Sequence, residues 1–320
     1  MRVLISGITG FVGSHLARAY LKNGDKVFGT YRYHHLGNEM ERIEDIKDKV
    51  KLFDCDLRDR NSVFRILNEV KPDIIHHLAA QSFVKASWDN PEHTIINNIT
   101  CELNIFEVCR DLKIDPVIHV AGSSEEYGKQ DKMPISEDAP LRPLSPYAVS
   151  KVAQDALAQQ YHSSYGTKTV ITRAFNHEGP GRGKDFVTSA FAIQAAKILK
   201  NNELAIIYVG NLEAIRDYTD ISDMVRAYMI AVKKCSYGQP YNICSGTGHK
   251  IREILDFYTE KIRLRFSNFE VKNKEELMRP SDLPILVGDC RKFKEATGWV
   301  PEVNFEEMLN KIYLFWQEKI

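Results

Sequence analysis

Short runs of apolar and β-branched residues alternate with longer amphipathic stretches through the first half of the chain. Val3–Ser6, Lys26–Thr30, Lys51–Phe53, Asp73–His77, Pro116–Val120 and Thr167–Thr172 read as strands. Between them, Val12, Leu16, Ala19 and Tyr20 recur at helical spacing, as do Ile96, Ile99, Leu103 and Phe106. Strands alternating with helices pack as a parallel sheet covered on both faces, so the pattern predicts an α/β fold of the doubly wound, Rossmann type.

Beyond about residue 175 the alternation loosens. Gly179-Pro180-Gly181-Arg182-Gly183 is loop-forming, and a helix is expected over Val187–Lys200. A further strand is expected at Tyr241–Cys244, with helices at Lys250–Lys261 and Glu306–Glu318. There is no internal repeat and no linker-like stretch. The expectation is a main body of residues 1–175 plus about 217–247, carrying a smaller α/β lobe of about 176–216 plus 248–320.

The 320 residues are 43% hydrophobic and 27% charged, which is the balance of a globular chain. Lys+Arg and Asp+Glu are both 43, so no net field favours nucleic acid or an anionic membrane as partner. The apolar runs are short of a membrane span, and Val3-Leu4-Ile5 is too brief for a signal-peptide core. The expected location is the cytoplasm. Six cysteines without CxxC or Cys/His ligand spacing are expected to be free thiols rather than metal ligands.

The chemistry begins at Gly7-Ile8-Thr9-Gly10-Phe11-Val12-Gly13, between the first strand and the first helix. Glycines there permit a tight turn and let backbone N–H groups approach a pyrophosphate at a positive helix terminus. The second strand ends in Gly29-Thr30-Tyr31-Arg32. A site for a free ribose 2′-hydroxyl carries a carboxylate there, whereas a 2′-phosphate needs a cation. Arg32 supplies the cation, so NADP is favoured over NAD. Asp56 and Leu57 after the third strand are candidates for adenine contact. Leu78, Ala79 and Ala80 after the fourth leave room beside the cofactor.

Ser145-Pro146-Tyr147-Ala148-Val149-Ser150-Lys151 opens a predicted helix whose stripe Val149, Val152, Ala153, Ala156 and Leu157 is expected to be buried. Tyr147 and Lys151 share a helix face at i and i+4, and a nearby ammonium lowers a phenol's pKa toward neutrality. Tyr147 is therefore a candidate general base. Ser123-Ser124-Glu125-Glu126-Tyr127-Gly128 follows the fifth strand, at the sheet edge where such folds place their sites. Adjacent glutamates diverge, so one of the pair faces the substrate; Glu125 is the candidate acid/base and Ser123 a hydroxyl for a substrate oxygen.

Taken together these residues resemble the extended short-chain dehydrogenase/reductase family. Within it the chain is similar to the group holding GDP-mannose 4,6-dehydratase and GDP-4-keto-6-deoxymannose reductase. The likeness runs through Ala80-Gln81-Ser82-Phe83-Val84, Phe175-Asn176-His177-Glu178, the stretch from Gly210 to Asp217, and Arg279-Pro280-Ser281. It implies Tyr147 and Lys151 as the catalytic pair, with Ser123 where the dehydratases have threonine and Glu125 as their acid/base. It further implies Ser82, Asn176, Arg182, Val187, Arg216 and Arg279 as contacts to a GDP-linked sugar, with Arg216 and Arg279 on its diphosphate, where bidentate guanidinium recognition is physically sensible. The implied assembly is a homodimer or homotetramer. The implied reaction is 4,6-dehydration: oxidation at C4, loss of water across C5 and C6, and hydride return to C6. The alternative is NADPH-dependent reduction of a C4 ketone. Arg32 to Asp56 looks like the dehydratase; Gly210 onward, and Phe11-Val12 in place of Gln-Asp, do not.

Overall fold

The computed structural model describes residues 1–33, 40–201, 206–266, 269–277 and 283–320. The first half builds β1 (Arg2–Ser6), α1 (Phe11–Lys22), β2 (Lys26–Tyr31), β3 (Lys51–Asp54), α2 (Arg60–Val70) and β4 (Ile74–His77). It continues through α3 (Val84–Asp89), α4 (Pro91–Asp111), β5 (Val117–Ser123), α5 (Pro146–Tyr165) and β6 (Thr169–Ala174). With β10 (Pro240–Ile243) the strands form one seven-stranded parallel sheet in the order β10-β6-β5-β4-β1-β2-β3. The chain runs outward from β1 to β3, then crosses back to place β4 on the other side of β1. That reversal opens a crevice at the carboxyl ends of β1 and β4, the position where doubly wound sheets bind ligands.

The strands lie where the apolar runs predict, with one informative difference. β5 and β6 continue to Ser123 and Ala174, in register from Ile118↔Thr169 to Ser123↔Ala174. These extra residues carry no apolar signature because their partners are polar: the extension brings Ser123 and Arg173 to the sheet edge. One face of the sheet packs Val3, Ile5, Leu16, Tyr20 and Tyr228 under α1 and α7 (Ile221–Lys234). The other packs Leu4, Ile75, Ile105, Phe106 and Ile118 under α2, α4 and α5.

α5 corrects the periodicity reading. Ser145 caps it, its Oγ accepting from Ala148 N at 3.1 Å, and Gly166 ends it at φ +70°. The expected apolar stripe faces outward, however: Val149 is 42% exposed, Ala156 is exposed, and Val152, Ala153 and Leu157 are only half-buried. The inward stripe is Tyr147, Lys151, Gln154, Asp155 and Ala158. α4 behaves alike, burying Asn97, Asn98, Cys101 and Glu102 while Ile96 is 51% exposed. Polar groups win the sheet side because their partners are there. Asp155 accepts from Arg173 Nε at 2.8 Å, and Asn98 Nδ2 donates to Ser150 Oγ at 2.9 Å. A buried polar group with its hydrogen bonds satisfied is tolerated where an unpaired one is not.

The second half builds β7 (Asn176–Glu178), α6 (Val187–Asn201), β8 (Ile206–Val209), β9 (Ile215–Asp220), β11 (Gly248–Lys250) and α8 (Ile251–Arg263). β12 (Glu270–Asn273), β13 (Ile285–Leu286), α9 (Arg291–Thr297) and α10 (Phe305–Lys319) complete it. β9 pairs with β7, β11 and β13, and β8 with β12. α6, α8 and α10 enclose a separate core around Phe191, Ile207, Tyr258 and Leu309. Residues 291–303 leave this lobe and pack on the main body: Phe293 and Trp299 join the cluster of Met224 and Tyr241, and Trp299 Nε1 donates to the Asp223 carbonyl at 3.1 Å. Trp299 is 1% exposed. Trp299→Ala is therefore expected to cost about 3–5 kcal/mol in urea unfolding; a loss below about 1 kcal/mol would mean this stretch does not hold the body.

Candidate active site

The crevice is a cleft of about 450 Å³ that runs from the glycine turn, past Arg32 and Asp56, to Tyr147 and Lys151. Its floor is the turn after β1. Gly7 sits at φ +68°, and a Cβ on Gly13 would lie 2.4 Å from the Gly7 carbonyl oxygen. Gly10 precedes α1 with no side-chain cap, leaving the first N–H groups of the helix to whatever occupies the cleft. Phe11 and Val12 line this end. A diphosphate bridge fits here: the backbone can approach closely, the helix end is positive, and no side chain fills the space.

β4 forms the opposite wall. Ser6 Oγ accepts from Leu78 N and Ala79 N, both at 3.0 Å, and meets His77 Nδ1 at 3.0 Å, so one hydroxyl holds the chain leaving β4 against β1. Leu78, Ala79 and Ala80 line the cleft as expected, and Ser82 is exposed at its rim. Arg32 is exposed at the far end, across from Asp56. Asp56 is already paired with Arg58, whose Nε donates to Oδ1 at 3.0 Å; Arg58 chiefly, and Arg32 more weakly, hold that carboxyl below the usual range. Leu57 is 7% exposed and belongs mostly to the core.

At the other end, Tyr147 is 9% exposed and Lys151 5%. The Lys151 ammonium donates to the Ala121 carbonyl at 2.8 Å and lies 5.9 Å from the centre of the Tyr147 ring. Burial pulls this ammonium down, and the carboxyls of Glu102 and Glu126 oppose it. The Tyr147 phenol is pushed up to about 12 by burial; the Ser123 hydroxyl and the Arg182 charge act the other way. The expectation that Lys151 brings this phenol near neutrality is not met by the protein alone, because burial of the phenol outweighs the groups that lower it.

Ser123 is fixed by the turn that follows it. Its N–H donates to Glu126 Oε1 at 2.6 Å, and its Oγ accepts from Glu125 N at 3.2 Å. The two glutamates diverge as expected. Glu126 turns inward toward Arg173, Nε to Oε2 3.4 Å, where burial raises its carboxyl to about 8. Glu125 stays half-buried, close enough to Tyr147 that its charge is felt by the phenol.

The expected substrate contacts divide. Arg182 lines the cleft with its guanidinium 3.5 Å from the centre of the Phe186 ring and its Nε 3.6 Å from Glu178 Oε2. Asn176 and Val187 are half-buried, at the starts of β7 and α6. Arg216 is buried within the lobe, where Nη1 donates to the carbonyls of Ile215 at 2.9 Å and Leu283 at 2.7 Å; it does not line the cleft. Arg279 lies outside the described residues. The structure adds Thr9, Gln81, His177 and Tyr228 to the cleft wall. His177 lies one residue from the quoted Asn176, but nothing in the local sequence marks Tyr228, on a helix more than 200 residues from the glycine turn. Among the described residues no group of three His, Cys, Asp or Glu side chains is placed to hold a metal ion.

A glycine cradle at the switch point of a parallel sheet, with a Tyr–Lys helix at its side, defines a nicotinamide-dependent enzyme of the extended short-chain dehydrogenase/reductase type. The family described as GDP-mannose 4,6 dehydratase matches residues 4–312, and the chain belongs to it. GDP-mannose 4,6 dehydratase 2 of Arabidopsis thaliana is 33% identical over 96% of this chain and 84% of its own. GDP-6-deoxy-D-mannose reductase of Pseudomonas aeruginosa is 27% identical over 100% of this chain and 98% of its own. Among solved structures, RMD from Pseudomonas aeruginosa complexed with NADPH superposes with a TM-score of 0.84 at 27% identity over the whole of both chains.

With its pKa raised, the phenol stays protonated at neutral pH until a ligand alters its surroundings; the phenolate form gains population only as pH rises toward about 12. The difference absorbance near 295 nm between the parent protein and Tyr147→Phe, both without cofactor, is expected to stay flat from about pH 6 to about pH 10. A phenolate appearing with a midpoint below about 9 would show that Lys151 already acts on it.

Proposed function

We propose that the protein is a GDP-sugar 4,6-dehydratase using NADP. This reading is supported by Tyr147 and Lys151 at one end of a cleft floored by a glycine turn, with Glu125 close enough for its charge to reach the phenol, in a chain of the GDP-mannose 4,6 dehydratase family. A bound nicotinamide would supply the hydride acceptor for sugar C4 and the hydride donor for C6, C5 taking up a proton as C6 is reduced. Tyr147, with its proton lost, accepts the proton of the C4 hydroxyl. Ser123, whose hydroxyl acts on the phenol, orients it. Once C4 is a ketone the C5 proton is acidic, and Glu125 removes it and delivers it to the departing C6 hydroxyl. Lys151 keeps a positive charge beneath Tyr147, braced by Ala121. Arg32 favours NADP, because it offers a cation at the ribose end of the cleft. Arg182, Asn176, Ser82 and Val187 contact the sugar nucleotide, and Arg279 its diphosphate.

The exposed apolar residues Ile96 on α4 and Val149 on α5, 51% and 42% exposed, support a homodimer or homotetramer built on these helices. Val149→Lys is expected to leave the protomer folded and to shift light scattering to the monomer mass; an unchanged mass would place the interface elsewhere. Cytoplasmic location is supported by six free cysteines, five of them buried, and no described helix is long and apolar enough to cross a membrane.

A second reading, reduction of a C4 ketone, is favoured by the end-to-end match to the Pseudomonas aeruginosa reductase. That reaction needs Tyr147 as proton donor and has no need of Glu125. Incubation with GDP-mannose without added reductant is expected to give a 4-keto-6-deoxy product, and Glu125→Gln to slow it by about a hundredfold or more. NADPH consumption with a 4-keto-6-deoxy sugar, no turnover of GDP-mannose, and a near-normal rate for Glu125→Gln would instead establish the reductase.

A further inference from the structure

Three buried polar side chains stand in line behind the cleft wall. Ser6 and His77 are register partners at the ends of β1 and β4, and Gln154 lies on α5 one turn past Lys151. They are 1%, 2% and 0% exposed. Ser6 Oγ meets His77 Nδ1 at 3.0 Å, and His77 Nε2 meets Gln154 Nε2 at 3.3 Å. Gln154 Oε1 is buried without a partner.

The serine decides where the protons sit. Its oxygen has two lone pairs and one hydrogen. Leu78 N and Ala79 N, both at 3.0 Å, take the lone pairs, so the hydroxyl hydrogen goes to His77 Nδ1. An N–H at Nδ1 would instead ask the oxygen to accept a third time and leave the hydroxyl buried with no acceptor, which is the costly case. Burial, with the Lys151 charge adding to it, holds the imidazole at about 3 and therefore neutral, so its one proton is on Nε2. A donor at Nε2 needs an oxygen opposite it. One half-turn of the Gln154 amide supplies that oxygen, and it removes both the meeting of two donors and the unpartnered buried carbonyl.

The neighbouring helix has an acceptor for the amide N–H groups so released. α4 and α5 lead into the parallel neighbours β5 and β6 and run side by side in one direction. Asn98 Nδ2 donates to Ser150 Oγ at 2.9 Å, and further along Tyr161 OH donates to Glu107 Oε1 at 2.6 Å. Glu102 and Gln154 each lie four residues past the first of these contacts, and both are fully buried. Neither oxygen of Glu102 has a partner, so a carboxyl stands at the level of the turned amide.

We infer that Ser6, His77 and Gln154 form a directed hydrogen-bond chain that fixes the Tyr147–Lys151 helix relative to the Leu78–Ala79 wall of the cleft. Ser6 grips the wall through its two backbone N–H groups and grips α5 through His77. Neither His77 nor Gln154 lines the cleft. They are positioning residues, acting by setting where the phenol stands against the opposite wall. Their effect on rate rests on the function proposed above, whereas the placement of the protons does not.

Long-range nitrogen–proton correlation on protein labelled with ¹⁵N-histidine, without ligand, reads the ring directly. His77 is expected to carry its proton on Nε2, its signals identified by their loss in His77→Asn or, should that variant not fold, by their shift in Gln154→Met. A proton on Nδ1 overturns the inference, whatever the enzyme proves to catalyse. Gln154→Met is expected to keep the Nε2 tautomer, because Ser6 sets it; a move to Nδ1 would show that the amide sets the ring and that the chain does not start at Ser6. The same variant is expected to lower kcat for the 4-keto product from GDP-mannose by about tenfold, with KM unchanged within about twofold. A lower thermal midpoint with kcat unchanged would make the chain merely structural and end the positioning role. If the parent does not turn over GDP-mannose, the comparison runs on a 4-keto-6-deoxy sugar with NADPH, where Tyr147 faces the same demand. Turnover of neither would count against the proposed function and leave the tautomer to decide the chain.

Discussion

The buried guanidinium of Arg173 is the interaction around which the site is organised. It joins Asp155 on α5 to Glu126 in the turn after β5, and it also donates through Nη1 to the Glu137 carbonyl and the Tyr127 hydroxyl, both at 3.1 Å. Tyr127 OH in turn donates to Asn242 Oδ1 at 2.7 Å, which ties in β10. Four segments distant in sequence therefore meet on one cation. An ion group buried like this is not evidence of stability in itself, since desolvation offsets much of the attraction. Its consequence is geometric: it sets how far α5 slides along the sheet, and so where Tyr147 and Lys151 stand relative to Ser123.

The same constraint explains why α5 runs against its own periodicity. A helix normally turns its apolar stripe to the sheet. Here the stripe toward the sheet must carry Lys151, Gln154 and Asp155, whose partners are on β5, β4 and β6 respectively, and the apolar residues are displaced to the outside. α4 does this only in part: it turns Asn97, Asn98 and Glu102 inward and leaves Ile96 exposed, while Ile105 and Phe106 keep to the core.

How much of this was legible in the sequence follows from which residues act locally. The glycine turn, the parallel sheet implied by alternating elements and the Tyr147–Lys151 spacing are short-range signals, and the cleft is built where they indicate. The choice between Glu125 and Glu126 could be narrowed to one residue but not explained, because the reason is long-range: Glu126 is captured by Arg173, 47 positions on. The direction of α5 was misread for the same reason. Tyr228 was invisible, because a residue on a helix far along the chain reaches the cleft only through the fold. The state of the Tyr147 phenol was likewise beyond spacing arguments, which place a lysine nearby without telling how deeply the phenol is buried.

The central claim is that a phenol and a nicotinamide ring act on one sugar carbon, and that the hydride removed there returns to the same molecule. GDP-mannose deuterated at C4 tests this directly. Mass and proton spectra of the product should place the deuterium at C6, with none lost to added unlabelled NADPH. Label that stays at C4, or that is recovered in the free cofactor, would contradict the account.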